Sequence, residues 1–211
     1  MKFLISFIIG SVPFAKLAML GTGIDITKVG SKNPGFNNVL RVSSKWRAAI
    51  ALAGDISKGY IALSLLVRGD MPGAAVWAIG IASVMGHCWS PFLGFNGGKG
   101  VATTVGVLLK LEPWITILCL PLYPNLRFIG RKAGWKQEGA VASLSSMLVI
   151  AVLVLARRGM EAGILACVML GIIVVRHAPN LRDIMASKHG SPGAGSKSRS
   201  EGVQAAPRQS R

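Results

Sequence analysis

A cluster of glycines around one lysine is the segment of this sequence best suited to chemistry. Gly97, Gly98 and Gly100 flank Lys99, and an apolar run typical of a helix begins at Val101. Glycine lets the backbone approach a ligand closely, and a helix N-terminus presents unpaired N–H groups and a positive dipole. Because the lysine adds a positive charge, the segment indicates a phosphate-binding loop.

The spacing of this loop differs from that of a nucleotide-binding P-loop. The P-loop pattern is GxxxxGK[ST], whereas Gly94 lies four residues before Gly98, and Gly100 stands where a magnesium-binding hydroxyl is needed. A tight turn between two helices, with the lysine reaching a membrane interface, is the competing interpretation. The loop alone leaves both interpretations open.

A second polar segment, residues 25–41, suits a phosphorylated polyol. Its hydrogen-bonding side chains include Ser31, Asn33, Asn37, Asn38 and Arg41. Amides and a hydroxyl can bind hydroxyl groups, and an arginine can bind phosphate through two parallel hydrogen bonds. An ordinary turn, with Asn and Gly at unusual backbone angles, is the alternative.

Two further pairs of residues stand three positions apart, a spacing that places side chains on one helix face. His177 and Asn180 lie in a third polar segment, where the histidine could act as general base or donor, or only as an interfacial hydrogen-bonding group. Asp55 and Lys58 lie inside an apolar run, where a structural ion pair is the leading interpretation and a substrate-facing Lys58 the alternative.

The elements that must position these residues are predicted to be membrane helices. The chain of 211 residues is 51% hydrophobic and 15% charged, with a mean hydropathy of +0.51; soluble domains are about 25% charged. The formal net charge of +16 comes from basic residues between apolar runs. That placement favours cytoplasmic loops over nucleic-acid binding. Cys88, Cys119 and Cys167 lack metal-ligand spacing and are interpreted as buried apolar residues.

The fold class predicted is an all-α polytopic membrane protein with about seven transmembrane helices. The predicted spans are residues 3–20, 48–67, 72–88, 100–111, 113–129, 139–156 and 160–176. The first is interpreted as a retained span rather than a signal peptide, and proline is expected to bend or break the fifth. Seventeen basic residues then fall on one side and four on the other, so the N-terminus is predicted outside and the C-terminus in the cytoplasm. Merging the fourth and fifth spans would put the basic loop at 127–136 outside.

Two regions follow from this organisation. Residues 1–186 are predicted to form one integral membrane domain, and residues 187–211 a disordered basic tail rich in Gly, Ser and Pro. The three polar segments would all meet at the cytoplasmic membrane surface.

The order of the motifs resembles the bacterial PlsY family, which are integral-membrane glycerol-3-phosphate acyltransferases. The family pattern GSxPF reads GSVPF at 10–14, and DIRxxGSGNxGATNxxR reads DITKVGSKNPGFNNVLR at 25–41. A D-x-x-K-G within a span is DISKG at 55–59. The pattern GHxxPxFLxFxGGKGVAT reads GHCWSPFLGFNGGKGVAT at 86–103, with its proline one place later, and H-x-x-N is HAPN at 177–180. The resemblance covers nearly the whole chain before the tail.

The resemblance implies a reaction in phospholipid biosynthesis at the cytoplasmic face of the inner membrane. The sn-1 hydroxyl of glycerol 3-phosphate would attack acyl phosphate and give lysophosphatidic acid and phosphate. The implied catalytic residues are Ser31, His177 and Asn180. The implied substrate-binding residues are Asn33, Arg41, Lys99, Gly97, Gly98, Gly100 and His87, with Lys58 as a further candidate. We expect no cofactor, metal ion, nucleic acid or obligatory protein partner beyond the membrane lipids.

The general base is left open between His177 and the substrate's own phosphate. The H-x4-D motif of other acyltransferases is absent, since Phe92 and Arg182 stand at the fifth positions after the two candidate histidines. Lys32 replaces a family glycine, Phe36 with its neighbour replaces Ala-Thr, and the later Gly-x-Glu is missing. The alternatives are therefore a catalytically weakened relative that binds phosphorylated metabolites, or a small-anion transporter.

Overall fold

The computed structural model describes residues 1–189, and the regular elements of that part of the chain are helical. The helices are α1 (Lys2–Ser11), α2 (Phe14–Ala18), α3 (Phe36–Val42), α4 (Lys45–Leu66), α5 (Gly73–Cys88), α6 (Val101–Leu111), α7 (Pro113–Cys119), α8 (Leu122–Lys132), α9 (Glu138–Arg158), α10 (Met160–Arg176) and α11 (Ala178–His189). A 3-10 turn covers Pro91–Leu93. The prediction of an all-α protein is confirmed for the described residues.

Three helical segments are long and apolar enough to cross a membrane. They are Lys45–Leu66, Gly73–Leu93 and Glu138–Arg158, and a fourth is Met160–Arg176 if it is counted with the segment up to Ser187, to which it is bent by 62°. The length and composition of the described helices therefore support three or four spans. Seven spans and the orientation of the termini remain predictions.

Proline interrupts two of the predicted spans. Residues 3–20 form two helices separated at Pro13, and residues 113–129 divide between α7 and α8 at Pro121. Proline has no N–H to continue the helical ladder and its ring clashes with the preceding turn. A single helix over 3–20 was the wrong expectation, whereas the break within 113–129 was foreseen. The tail was expected to begin at residue 187, but α11 continues to His189; the rest of the tail lies outside the described residues.

Glycine lets α4 and α6 pack closely, and this contact fixes the helix that follows Lys99. A Cβ at Gly106 would overlap the carbonyl group of Ile56, and a Cβ at Gly59 would overlap the backbone of Thr103. Small residues at such crossings allow backbones to approach and increase van der Waals contact in membrane proteins. The N-terminal end of α6 is therefore held against the middle of α4.

The opposite end of α6 is fixed by an ion pair. Glu112, at the corner between α6 and α7, is only 5% exposed, and its Oε1 accepts a hydrogen bond of 2.6 Å from Nε of Arg158 at the end of α9. α6 has 11 residues and α9 has 21. At 1.5 Å per residue they rise about 17 Å and about 32 Å. α6 is thus about half as long as α9.

Candidate active site

One cavity of about 1490 Å³ joins all three polar segments of the sequence. The predicted site residues that line it are Ser31, Asn33, Arg41, His87, Gly97, Lys99, Gly100, His177 and Asn180. Gly98 and Lys58 do not line it. Within residues 1–189 no cluster of three or more His, Cys, Asp or Glu side chains could hold a metal ion.

The glycine loop packs against the end of α5 through its own backbone. The N–H of Gly97 donates to the carbonyl of Cys88 at 3.1 Å, and the N–H of Gly98 donates to the carbonyl of His87 at 3.0 Å. A Cβ on Gly98 would overlap the His87 ring. These two N–H groups therefore satisfy the last carbonyls of α5 and are not available to a phosphate. The structure gives both glycines a packing role.

The N–H groups that could bind phosphate lie just after the two glycines, at the start of α6. Gly100 has φ +84, a left-handed angle that glycine adopts at little cost, and it directly precedes the first residue of α6. Val101 and Ala102 line the cavity. Since the first N–H groups of a helix have no intrahelical partner, this end of α6 can donate to an anion.

The Lys99 side chain enters the cavity and starts a chain of hydrogen bonds. Its Nζ donates to Oδ1 of Asn180 at 2.6 Å, Nδ2 of Asn180 donates to Oε1 of Gln137 at 2.6 Å, and Nε2 of Gln137 donates to Oδ2 of Asp183 at 2.9 Å. The amine thus contacts an amide and no carboxylate. Burial, and then the nearby charge of Arg176, lower the pKa of Lys99 to about 8. At neutral pH the lysine remains mostly protonated.

His177 lies between α10 and α11 and is 2% exposed. Its Nδ1 is 2.8 Å from the carbonyl oxygen of Ile173, and its Nε2 is 3.2 Å from Oγ of Ser143. Because a carbonyl can only accept, we assign the ring proton to Nδ1, and Nε2 then accepts from the serine hydroxyl. Burial is the main reason that the pKa of His177 falls to about 4, so the ring is neutral at physiological pH.

The first polar segment is shaped by Asn38, which is 1% exposed. Its Oδ1 accepts from the N–H of Ser31 at 2.9 Å, and its Nδ2 donates to the carbonyls of Ile26 and Val29 at 3.1 and 3.0 Å. All the polar atoms of its amide are therefore used within the loop, which makes Asn38 structural. Arg41 is exposed and lines the cavity, and its side chain has no ion pair or hydrogen bond with another described residue. Its guanidinium is therefore available to an anion.

Lys32 departs from the resembled motif at a position with an unusual backbone. Its φ is +57, in the left-handed region, and its side chain is exposed at the edge of the cavity. A glycine adopts this angle without the steric cost that a side chain incurs. The chain therefore keeps the loop conformation that a glycine would favour while placing another positive charge beside the site.

An ion pair lies behind the glycine loop. Nζ of Lys58 is 2.6 Å from Oδ1 of Asp55 and 3.0 Å from Nδ1 of His87, and all three side chains are buried. The ammonium also lies 5.6 Å from the ring centroid of Phe14. Because Lys58 does not line the cavity, its position agrees with the structural ion pair that was the leading interpretation.

Three residues of the cavity that bond to predicted site residues were not themselves predicted: Gln137, Ser143 and Arg176. Arg176 adjoins His177 and lies within the third polar segment, but a basic residue at the end of an apolar run was counted only as a topological charge. Ser143 and Gln137 carry no motif signal. Their roles depend on contacts between residues more than 30 positions apart.

Comparison with known proteins gives a consistent result along the chain. A family model described as glycerol-3-phosphate acyltransferase matches residues 1–187. A glycerol-3-phosphate acyltransferase of Laribacter hongkongensis is 35% identical over 199 residues, covering 92% of this chain and 96% of the relative. One from Neisseria meningitidis serogroup C is 34% identical over 196 residues, covering 90% and 94%.

Two solved structures are similar in fold. Both are crystal structures of PlsY (YgiH), an integral membrane glycerol 3-phosphate acyltransferase, one in the glycerol 3-phosphate form and one in the lysophosphatidic acid form. The TM-scores are 0.75 and 0.74, at 25% sequence identity, and each comparison covers 91% of this chain and 94% of the other.

Proposed function

This chain belongs to the glycerol-3-phosphate acyltransferase family, and from that premise we propose how its cavity carries out the reaction. The protein is a membrane acyltransferase that acts on glycerol 3-phosphate. We propose acyl phosphate as the donor, with lysophosphatidic acid and inorganic phosphate as products. The observation that carries the assignment is the single cavity that joins the three motif segments.

The proposed topology has seven spans, some of them broken or short, with the cavity open to the cytoplasm at the inner membrane. The support for it is the strong asymmetry of basic residues between alternate loops. The short α6 and the divided segment from α7 to α8 would then act as incomplete spans. No obligatory protein partner enters this proposal.

The phosphate of glycerol 3-phosphate is proposed to bind among cations from two segments of the chain. Arg41 can donate two parallel hydrogen bonds, Lys99 adds a point charge, and the N-terminal end of α6 adds backbone donors. Ser31, with its exposed hydroxyl, extends this set. The protonated Lys99 amine has three donors and uses one on Oδ1 of Asn180, so the others can donate to the phosphate while the amide stays beside the glycerol hydroxyls.

The acyl transfer is proposed to proceed without a covalent enzyme intermediate. The sn-1 oxygen forms a bond to the acyl carbon, the bond from that carbon to the phosphate oxygen breaks, and phosphate departs. The hydroxyl proton goes to the departing phosphate. The basis for this choice is that Nε2 of His177 already accepts from Ser143 and, with a pKa of about 4, is a weak base at neutral pH. Orientation and cationic stabilisation of the developing charge then supply the rate.

The proposal is tested with the purified full-length chain in lipid nanodiscs, given acyl phosphate and glycerol 3-phosphate. We expect lysophosphatidic acid and inorganic phosphate in equal amounts, and no product when acyl-CoA replaces acyl phosphate. Lys99→Ala should raise KM for glycerol 3-phosphate by about 10- to 100-fold, as expected for loss of a charge-assisted hydrogen bond. Lys110→Ala is the matched control, because Lys110 lies over the Tyr60 ring away from the cavity. A folded protein that forms no product with either donor would refute the function.

A further inference from the structure

Arg176 is the last residue of α10 and contacts the carbonyl groups of the glycine loop. Its Nη2 donates to the carbonyl of Gly97 at 2.7 Å, and its Nε donates to the carbonyl of Gly98 at 3.0 Å. The guanidinium carbon lies 5.7 Å from the ring centroid of Trp89, within the range of a cation–π contact. Two directed hydrogen bonds and one aromatic face thus fix the guanidinium plane.

The two sets of contacts together use every backbone polar group of these two glycines. Their N–H groups donate to α5 and their carbonyls accept from Arg176. With both its N–H and its carbonyl groups bonded, the loop cannot rotate its peptide planes, so the Cα position of the next residue, Lys99, is defined. Since catalytic groups must be held within a fraction of an ångström to be effective, such support has a functional consequence.

From these contacts we propose that Arg176 is a positioning residue, which holds the Lys99 loop in the geometry that binds the substrate phosphate. The inference rests on the proposed function for its kinetic readout. Arg176 also precedes His177 directly, so one helix end aligns the glycine loop with the histidine and with Asn180. A lysine could not replace it, because a single ammonium does not present the fixed fork of donors that reaches two adjacent carbonyls.

The arginine also acts on Lys99 through its charge. Its positive charge disfavours protonation of the lysine and adds to the effect of burial in setting the pKa at about 8. The other charged or titratable side chains that line the cavity around the lysine are Lys16, Lys32, Arg41, Asp55, His87, Cys119, Tyr123, Arg127, Glu138, His177 and Asp183. Removal of the arginine charge should therefore raise the pKa of Lys99, which a purely structural role would not require.

The test compares Arg176→Lys and Arg176→Gln with wild type in nanodiscs. Arg176→Lys should raise KM for glycerol 3-phosphate about tenfold through loss of one charge-assisted hydrogen bond, with kcat within about threefold. Arg176→Gln should raise KM further. Arg182→Gln is the matched control, since Arg182 is exposed and does not line the cavity. Equal KM values for Arg176→Lys and wild type would overturn the proposal, as would the same rise in the control.

A second measurement needs no turnover. The acetylation of Lys99 is followed by peptide mass spectrometry from about pH 6.5 to about pH 9.5, a range that brackets the lysine's pKa of about 8. Arg176→Gln should move this midpoint upward, and an unchanged midpoint contradicts the inference. If Arg176→Gln fails to fold, Trp89→Leu is the alternative variant, because it keeps the charge of Arg176 but removes the aromatic ring that holds the guanidinium. Trp89→Leu should raise KM for glycerol 3-phosphate about threefold, and an unaltered KM would contradict the positioning role. Inactive wild type with an upward-shifted midpoint would refute the function and leave the positioning role standing.

Discussion

The left-handed backbone at Lys32 allows a quantitative prediction for Lys32→Gly. A side chain at this φ of +57 costs about 1–2 kcal/mol, and glycine removes that cost. Glycine also increases the entropy of the unfolded chain, which offsets about 0.4–1 kcal/mol. The net gain lies between about 0 and about 1.6 kcal/mol, with its centre near about 0.8 kcal/mol. For a chain of this size each kcal/mol corresponds to about 2–4 °C in melting temperature, so the central value predicts a rise of about 2–3 °C.

The assay is thermal unfolding in detergent at one scan rate, with two comparison variants. Lys32→Ala removes the charge but keeps the strained angle, so its melting temperature should not rise. Lys28→Gly introduces a glycine four residues earlier, where φ is not positive and the lysine is 80% exposed, and it should lower stability slightly. A melting temperature of Lys32→Gly at or below that of Lys32→Ala would refute the argument from backbone strain.

Two further predictions concern the charge of Lys99 and the far end of α6. In the proposed function the protonated Lys99 amine binds phosphate, and its pKa is about 8, so kcat/KM should fall as the pH rises through about 8. In Lys99→Arg the fall should move above about pH 10, and a profile identical to wild type would contradict the proposed role. Arg158→Ala leaves the buried Glu112 carboxylate without its partner and should cost about 1–3 kcal/mol, measured as a melting temperature about 2–12 °C lower. Arg157→Ala should change the melting temperature little, and equal melting temperatures for the two variants would argue against the ion pair.

The sequence identifies candidate site residues better than it identifies their hydrogen-bond partners. Lys99 and Arg41 are candidates because they are basic residues in glycine-rich or polar segments, and the Asp55–Lys58 pair is expected from helical spacing inside an apolar run. The pairing of Gly97 and Gly98 with α5 does not, because it requires the three-dimensional path of the loop back along its own helix. The sequence of these glycines resembles a phosphate-binding loop, although their N–H groups already donate to carbonyls of α5.

The helix breaks show the same limit. Pro121 signals a break because it stands with a second proline in one run, whereas Pro13 lies inside an apolar stretch that hydropathy treats as continuous. Hydropathy measures the transfer of side chains into the membrane and does not register a missing backbone N–H donor. Arg176 is not identified from the sequence for a related reason. Its charge is explained by the enrichment of basic residues in cytoplasmic loops, and only the folded chain shows the two carbonyl groups that it contacts.

The two ends of α6 relate to opposite ends of α9, which bears on how far the proposed substrates would have to move. Glu112, after the last residue of α6, pairs with Arg158 at the C-terminal end of α9, whereas the Lys99 amine, before its first residue, is linked through Asn180 to Gln137 at the N-terminal end of α9. If α9 spans the bilayer as proposed, the Lys99 amine lies toward one membrane surface. Exposing an acyl chain to water costs about 0.8 kcal/mol for each CH₂, so in the proposed reaction the donor would keep its chain among the helices and present only its head group to the acceptor.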